Sequence, residues 1–132
     1  MTETKTKTRT ITLTGRAPVA IREDAWPEIA KGWAVDYDGS DESPTKTFKV
    51  YIRVRQHADT RAIVYGRYEY HSAWQGERRR DERAGVLVPA GGDIPAAITT
   101  VADALMEQVG AAEAMICRVA RECVAQLPAE HL

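Results

Sequence analysis

Thr47–Gln56 reads TFKVYIRVRQ, and Arg61–His71 reads RAIVYGRYEYH. In the first run Phe48, Val50, Ile52 and Val54 alternate with Lys49, Tyr51, Arg53 and Arg55. A period of two puts the apolar set on one face of a strand and the polar set on the other. Four turn-type residues, His57-Ala58-Asp59-Thr60, separate the runs, so the pair predicts an antiparallel hairpin. Nearer the N-terminus, Arg9–Thr14 (RTITLT) also alternates, and Val19–Ile21 returns after the turn Gly15-Arg16-Ala17-Pro18 as a short strand. Glu23–Gly32 (EDAWPEIAKG) is expected to be a short helix capped by Asp24, with Trp26, Ile29, Ala30 and Trp33 on one face. Asp36–Thr45 and Ser72–Gly85 are expected to be loops, and Val86–Val88 a short strand.

Beyond Gly91-Gly92 the pattern becomes helical. Asp93 caps a helix whose apolar face is Ile94, Ala97, Ile98, Val101, Leu105 and Val109. Gly110 breaks it. A last helix starts near Ala112, buries Ile116, Val119, Ala120, Cys123 and Leu127, and stops at Pro128. Strands in adjacent runs followed by helices predict an α+β domain. The expected architecture is an antiparallel sheet of about four strands, with a short N-terminal helix and a C-terminal pair of helices packed on one face. The other sheet face should then meet water or a partner. Residues 1–8 are expected to form a flexible arm and residues 9–132 a single domain.

The chain has 132 residues, 44% hydrophobic and 28% charged, with a formal net charge of −1. Those proportions are ordinary for a globular domain and exclude a collagen-like fibre or a disulfide scaffold. No apolar run approaches the roughly 20 residues of a membrane span, and MTETKTKTRT carries no secretory or lipidation signal. Cys117 and Cys123 lie six apart in a helical segment, about 120° from one another around its axis, so they should not pair. A reducing cytoplasm is the expected location.

Charge is neutral only on average. Residues 46–83 carry a net +5 and residues 23–45 a net −6. Such polarity steers association or serves solubility. Four groups of residues follow from it as candidates. On the hairpin, Lys49, Tyr51, Arg53 and Arg55 are joined by Tyr65 and Arg67 from the next strand. Cations track phosphates and flat rings stack on unpaired bases, which suits single-stranded nucleic acid. The same residue types also occur on merely solvated strands, where they pack well across neighbours. A charged loop offers Arg78, Arg79 and Arg80, which can grip phosphates or carboxylates, although Glu77, Asp81 and Glu82 offset them. Beside it Trp74 is either folded onto the core or an interface anchor. Finally, Asp36, Asp38, Asp41 and Glu42 form an acidic patch for a partner; their spacing does not match an EF-hand, so no metal is expected.

Catalysis finds no support in the pattern. His57, His71 and His131 are scattered, and no Gly-x-Ser-x-Gly, Walker loop, Gly-x-Gly-x-x-Gly or His-Glu-x-x-His is present. The Cys and His spacings match no zinc motif. The expectation is a non-enzymatic binding protein without a cofactor. The α-β-β-β-α order is shared with double-stranded-RNA-binding domains, but their last helix begins with lysines. Here it begins Asp93-Ile94-Pro95-Ala96-Ala97, without a cation.

Three runs, GRAPVAIREDAWPEIA (15–30), VRQHADTRAIVYG (54–66) and CVAQLPAE (123–130), resemble a family of small uncharacterised proteins carried on proteobacterial plasmids, integrative elements and prophages. The resemblance extends from Gly15 to the end. Asp59-Thr60 departs from it, since Asp-Gly is frequent at that place. It implies a setting and no catalytic residue: small proteins of such elements regulate transfer, handle DNA or block host defences by binding a host complex. Two readings follow. One is a protein-interaction or inhibitor protein acting on a host protein or nucleoprotein complex. The other is a nucleic-acid-binding accessory protein using the hairpin face. A homodimer through a sheet edge or the C-terminal helices is compatible with either.

Overall fold

The computed structural model describes residues 7–40, 43–72, 79–109 and 112–128. It is an α+β structure in the order β1 (Thr8–Ile11), β2 (Val19–Arg22), β3 (Glu28–Ser40), β4 (Ser43–Gln56), β5 (Ala62–Ser72), β6 (Arg80–Val88), α1 (Ile94–Val109) and α2 (Glu113–Gln126). β3 to β6 form a four-stranded antiparallel sheet in sequence order, and β1 and β2 a separate antiparallel pair.

The central hairpin forms as its alternation predicts. Val54 faces Val64 and Ile52 faces Gly66 across β4 and β5. Thr60 takes a left-handed φ of 73°, which Gly adopts more readily than Thr, in a turn closed by the Thr60 N–H donating to the His57 carbonyl. The apolar sides of β3 to β6 join α1 and α2 in the main core, with Ile52, Val54, Val64, Ile98, Val101, Leu105, Ile116, Val119 and Cys123 all fully buried. Asp93 caps α1 as expected, its carboxylate accepting from the Ala96 N–H at 3.0 Å. Both cysteines are free: Cys123 is buried and Cys117 exposed.

Four expectations need correction. No helix forms at Glu23–Gly32. The chain makes a turn through Glu23–Ala25 and then enters β3. Ala30, Gly32 and Ala34 alternate on the core side, and α2 lies so close that a Cβ on Gly32 would fall inside contact distance of the Val119 carbonyl and the Cys123 N–H. Small residues on a period of two therefore fit under α2, and a strand wins over a helical spacing that the same residues also satisfy. The supposed helical face is dispersed. Trp26 packs with the β1–β2 pair, Ala30 lies in the main core, and Trp33 is 58% exposed.

The described parts of Asp36–Thr45, residues 36–40 and 43–45, are likewise no open loop. β3 and β4 continue as a backbone ladder through Asp38↔Lys46, Gly39↔Pro44 and Ser40↔Ser43, with a bulge between Asp38 and Gly39. Backbone pairing requires no apolar face, so the polarity of the stretch hides it. The strand expected at Val86–Val88 is longer: β6 begins at Arg80, its Asp81 paired with Arg67 across the strands and its Arg80 bonded to the end of α1. Of the predicted loop 72–85, residues 73–78 lie outside the described residues.

The fourth correction concerns the sheet face turned away from the helices. Part of it is covered. Ile11, Leu13 and Ile21 from the N-terminal segment enclose Ile63 and Tyr65 in a second buried cluster, with Val19, Trp26 and Tyr51 at its margin. Gly85 makes room for this layer, since a Cβ there would collide with the Thr12 carbonyl. The Thr14 N–H donates to the Gly85 carbonyl at 2.9 Å, and the Gly85 N–H donates to Thr14 Oγ1 at 3.1 Å.

Candidate interaction face

The outer sheet face carries three rows of side chains set by the strand registers. They are Lys31–Arg53–Tyr65, Trp33–Tyr51–Arg67–Arg83 and Val35–Lys49–Glu69–Asp81. The hairpin residues expected on one face do share it, but they do not form an open basic surface.

Arg55 is 8% exposed. Its Nε donates to Tyr65 Oη at 2.9 Å and its Nη1 to the Trp26 carbonyl at 3.1 Å. Its Nη2 lies 3.8 Å from Glu23 Oε1, and that carboxylate also accepts from Arg9 Nε at 2.8 Å. The chain Arg9–Glu23–Arg55–Tyr65 bolts the β1–β2 layer onto β4 and β5. The Arg9 bond holds the Glu23 carboxyl below its ordinary range. Arg55 and Tyr65 therefore hold the molecule together and present nothing to a partner.

Arg67 is also engaged. It makes a two-pronged pair with Asp81 at 2.9 and 2.7 Å and reaches Glu69 at 3.0 Å. The Arg67 hydrogen bonds hold the Asp81 carboxyl down at about 2. Arg53 lies over the Tyr51 ring, 4.6 Å from its centroid, with Nε 3.5 Å from Glu28 Oε1. That Nε is buried without an aligned acceptor. Tyr51 meets Tyr65 edge-on at 6.3 Å.

Of the arginine run, Arg80 donates to the carbonyls of Gln108 at 2.7 Å and Val109 at 3.3 Å, capping the C-terminal end of α1. Arg79 lies exposed, 3.6 Å from Glu69, and lines a cleft of about 250 Å³ with Thr47, Lys49, Glu69 and His71. Arg78, Trp74, Asp41 and Glu42 lie outside the described residues. Asp36 is exposed on β3, and Asp38 belongs to the same strand. Among the described residues, no three His, Cys, Asp or Glu side chains gather where they could hold a metal ion. No helix there is long and apolar enough to cross a membrane.

The residue that sequence reasoning misplaced is Trp33. It stands on the outer face opposite Tyr51 and is the most exposed large hydrophobic side chain among the described residues. Lys31 and Lys49, next to it in the two flanking rows, make no ion pair with a described residue. The alternation Ala30/Gly32/Ala34 against Lys31/Trp33/Val35 was the signal that could have placed it.

None of the protein-family models, curated proteins or solved structures compared with the chain matches it.

Proposed function

We propose that this chain is a small non-enzymatic binding protein whose partner is another protein, seated on the outer sheet face around Trp33. One observation carries the reading: Trp33 holds 58% of its surface in water on the outer face of β3, at the end of the row it shares with Tyr51, Arg67 and Arg83. Large aromatic rings on pre-ordered backbone are the residues that anchor protein interfaces, because their burial releases much apolar surface at little conformational cost. Arg53 stacked on Tyr51 extends the surface, while Lys31 and Lys49 supply charges at its rim.

The alternative, an accessory protein for nucleic acid, loses part of its basis. Arg55, Tyr65 and Arg67, half of the residues on which that reading rested, are committed to internal bonds. The setting implied by the resemblance to mobile-element proteins would make the partner a host complex.

The test is a tagged pull-down from a bacterial lysate, with and without nuclease, using the natural chain and Trp33→Ala. A defined protein that survives nuclease and is lost with Trp33→Ala is the expected result. Partners that vanish on nuclease treatment, or that ignore Trp33→Ala, would overturn the reading.

A further inference from the structure

β3 is an edge strand of thirteen residues that pairs only with β4 among the described residues. Exposed edges are ordinarily blunted by charges, prolines, bulges or short length. Here the bulges fall only at the ends, between Glu28 and Ala30 and between Asp38 and Gly39. The span from Ala30 to Asp38 between them is regular; its charges are Lys31, beside the exposed Trp33, and Asp36 and Asp38 at its far end, which leaves Gly32–Val35 uncharged.

We propose that this edge joins a second copy of the chain about a two-fold axis near Gly32, making one eight-stranded sheet. Two layers of the molecule point to the same axis independently.

In the sheet, antiparallel pairing centred on Gly32 sets Lys31 of each copy opposite Trp33 of the other. Both are on the outer face, where an ammonium over an indole is attractive. On the core face the same register sets Ala30 opposite Ala34, small residues that leave room for the helix layer.

In the helix layer, α2 lies over β3 and β4, and α1 over β5 and β6. Cys117 marks the side of α2 that faces α1, its Sγ 3.7 Å from Met106 Sδ. With Ile116, Val119 and Cys123 pointing down into the core, about 100° per residue places Met115, Arg118, Glu122 and Gln126 on the opposite side, above the free edge of β3. Arg118 and Glu122 are exposed, and neither makes an ion pair with a described residue. An antiparallel α2 pair centred on Ala120 sets Arg118 of each copy against Glu122 of the other. Ala120 is one residue from Val119, whose carbonyl lies directly over Gly32. The sheet axis and the helix axis therefore fall together near Gly32, and in each layer the central pairs, Lys31 with Trp33 and Arg118 with Glu122, are complementary about a two-fold.

The test is sedimentation of the full chain over a range of concentrations. The natural chain should form a species of twice 14.6 kDa. Arg118→Glu alone and Glu122→Arg alone each place like charges together and should weaken the dimer at least about tenfold. The double variant R118E/E122R should restore it. Trp33→Lys sets like charges against Lys31 of the other copy and should weaken it through the other layer. Circular dichroism checks that each variant folds, and the surface reversals lie away from the core. A natural chain that stays monomeric at every concentration would overturn the proposal. So would a dimer indifferent to the single reversals, or one that the double reversal does not restore. This inference is separable from the partner reading, because Arg118 and Glu122 lie in the helix layer. Their reversal can abolish the dimer while Trp33 keeps its partner.

Discussion

Arg55 illustrates how one side chain changes meaning between a strand pattern and a fold. Its alternation with Val54 puts it on the polar face, where a guanidinium is normally solvated. Instead Ile11, Leu13 and Ile21 close over that part of the sheet, and Arg55 becomes a buried hub between Glu23, Tyr65 and the Trp26 carbonyl. Arg55→Leu removes hydrogen bonds from a charged donor and leaves Tyr65 Oη and the carbonyl unpaired, so a loss of about 2–3 kcal/mol is expected from urea unfolding. Trp33→Ala contrasts with it. The ring is mostly in water, so its loss should change stability by no more than about 0.5 kcal/mol while removing partner binding. Equal destabilisation by the two substitutions would show that Trp33 is a packing residue. No periodicity distinguishes these two outer-face residues; what differs is whether a neighbouring layer lies above them.

Among the elements, β6 is the one whose charge content conceals it. Arg80–Arg83 has no apolar residue, yet it pairs with β5 because Asp81 meets Arg67 while Arg80 reaches back to cap α1. The ladder has a pH signature. Asp81 is held at about 2, below its ordinary value near 3.8, by the Arg67 hydrogen bonds. A carboxyl depressed in the folded state favours folding fully above its ordinary value and loses that contribution as pH falls through the folded one. Acid unfolding of the natural chain should therefore steepen between about pH 4 and pH 2, and Asp81→Asn should flatten that part of the profile. An unchanged acid profile for the variant would assign the pair no role in stability. The β3–β4 extension through Ser40 and Ser43 was equally hidden. Its polar composition carries no alternation, and backbone hydrogen bonding leaves no trace in side-chain pattern.

For the whole molecule, near-neutral net charge and internal pairing together bear on partner choice. Since Arg55 and Arg67 are already paired, the hairpin face keeps fewer cations that could release counterions from phosphates. Affinity for single-stranded nucleic acid should be weak at low salt, and its logarithm should fall only shallowly with added salt. A steep fall, equivalent to several phosphate contacts, would restore the nucleic-acid reading. The sequence was sufficient for the β4–β5 hairpin and for the apolar faces of α1 and α2, because each has a clean period over a long run, with Asp93 as the cap before α1 and turn residues between the strands. It was sufficient for the α+β class, because the strands come in adjacent runs. It misread Glu23–Gly32 because Trp26, Ile29, Ala30 and Trp33 satisfy a helical period while Ala30, Gly32 and Ala34 satisfy a strand period. The choice rests on the α2 backbone passing close over Gly32, a contact between segments nearly ninety residues apart. The candidate face followed the same rule. Alternation put Lys49, Tyr51, Arg53 and Arg55 on one side of β4, but long-range packing of the N-terminal layer covered one end of that side and left Trp33 exposed. Local periodicity reports which side of an element is apolar; which other element covers each side is a property of contacts distant along the chain.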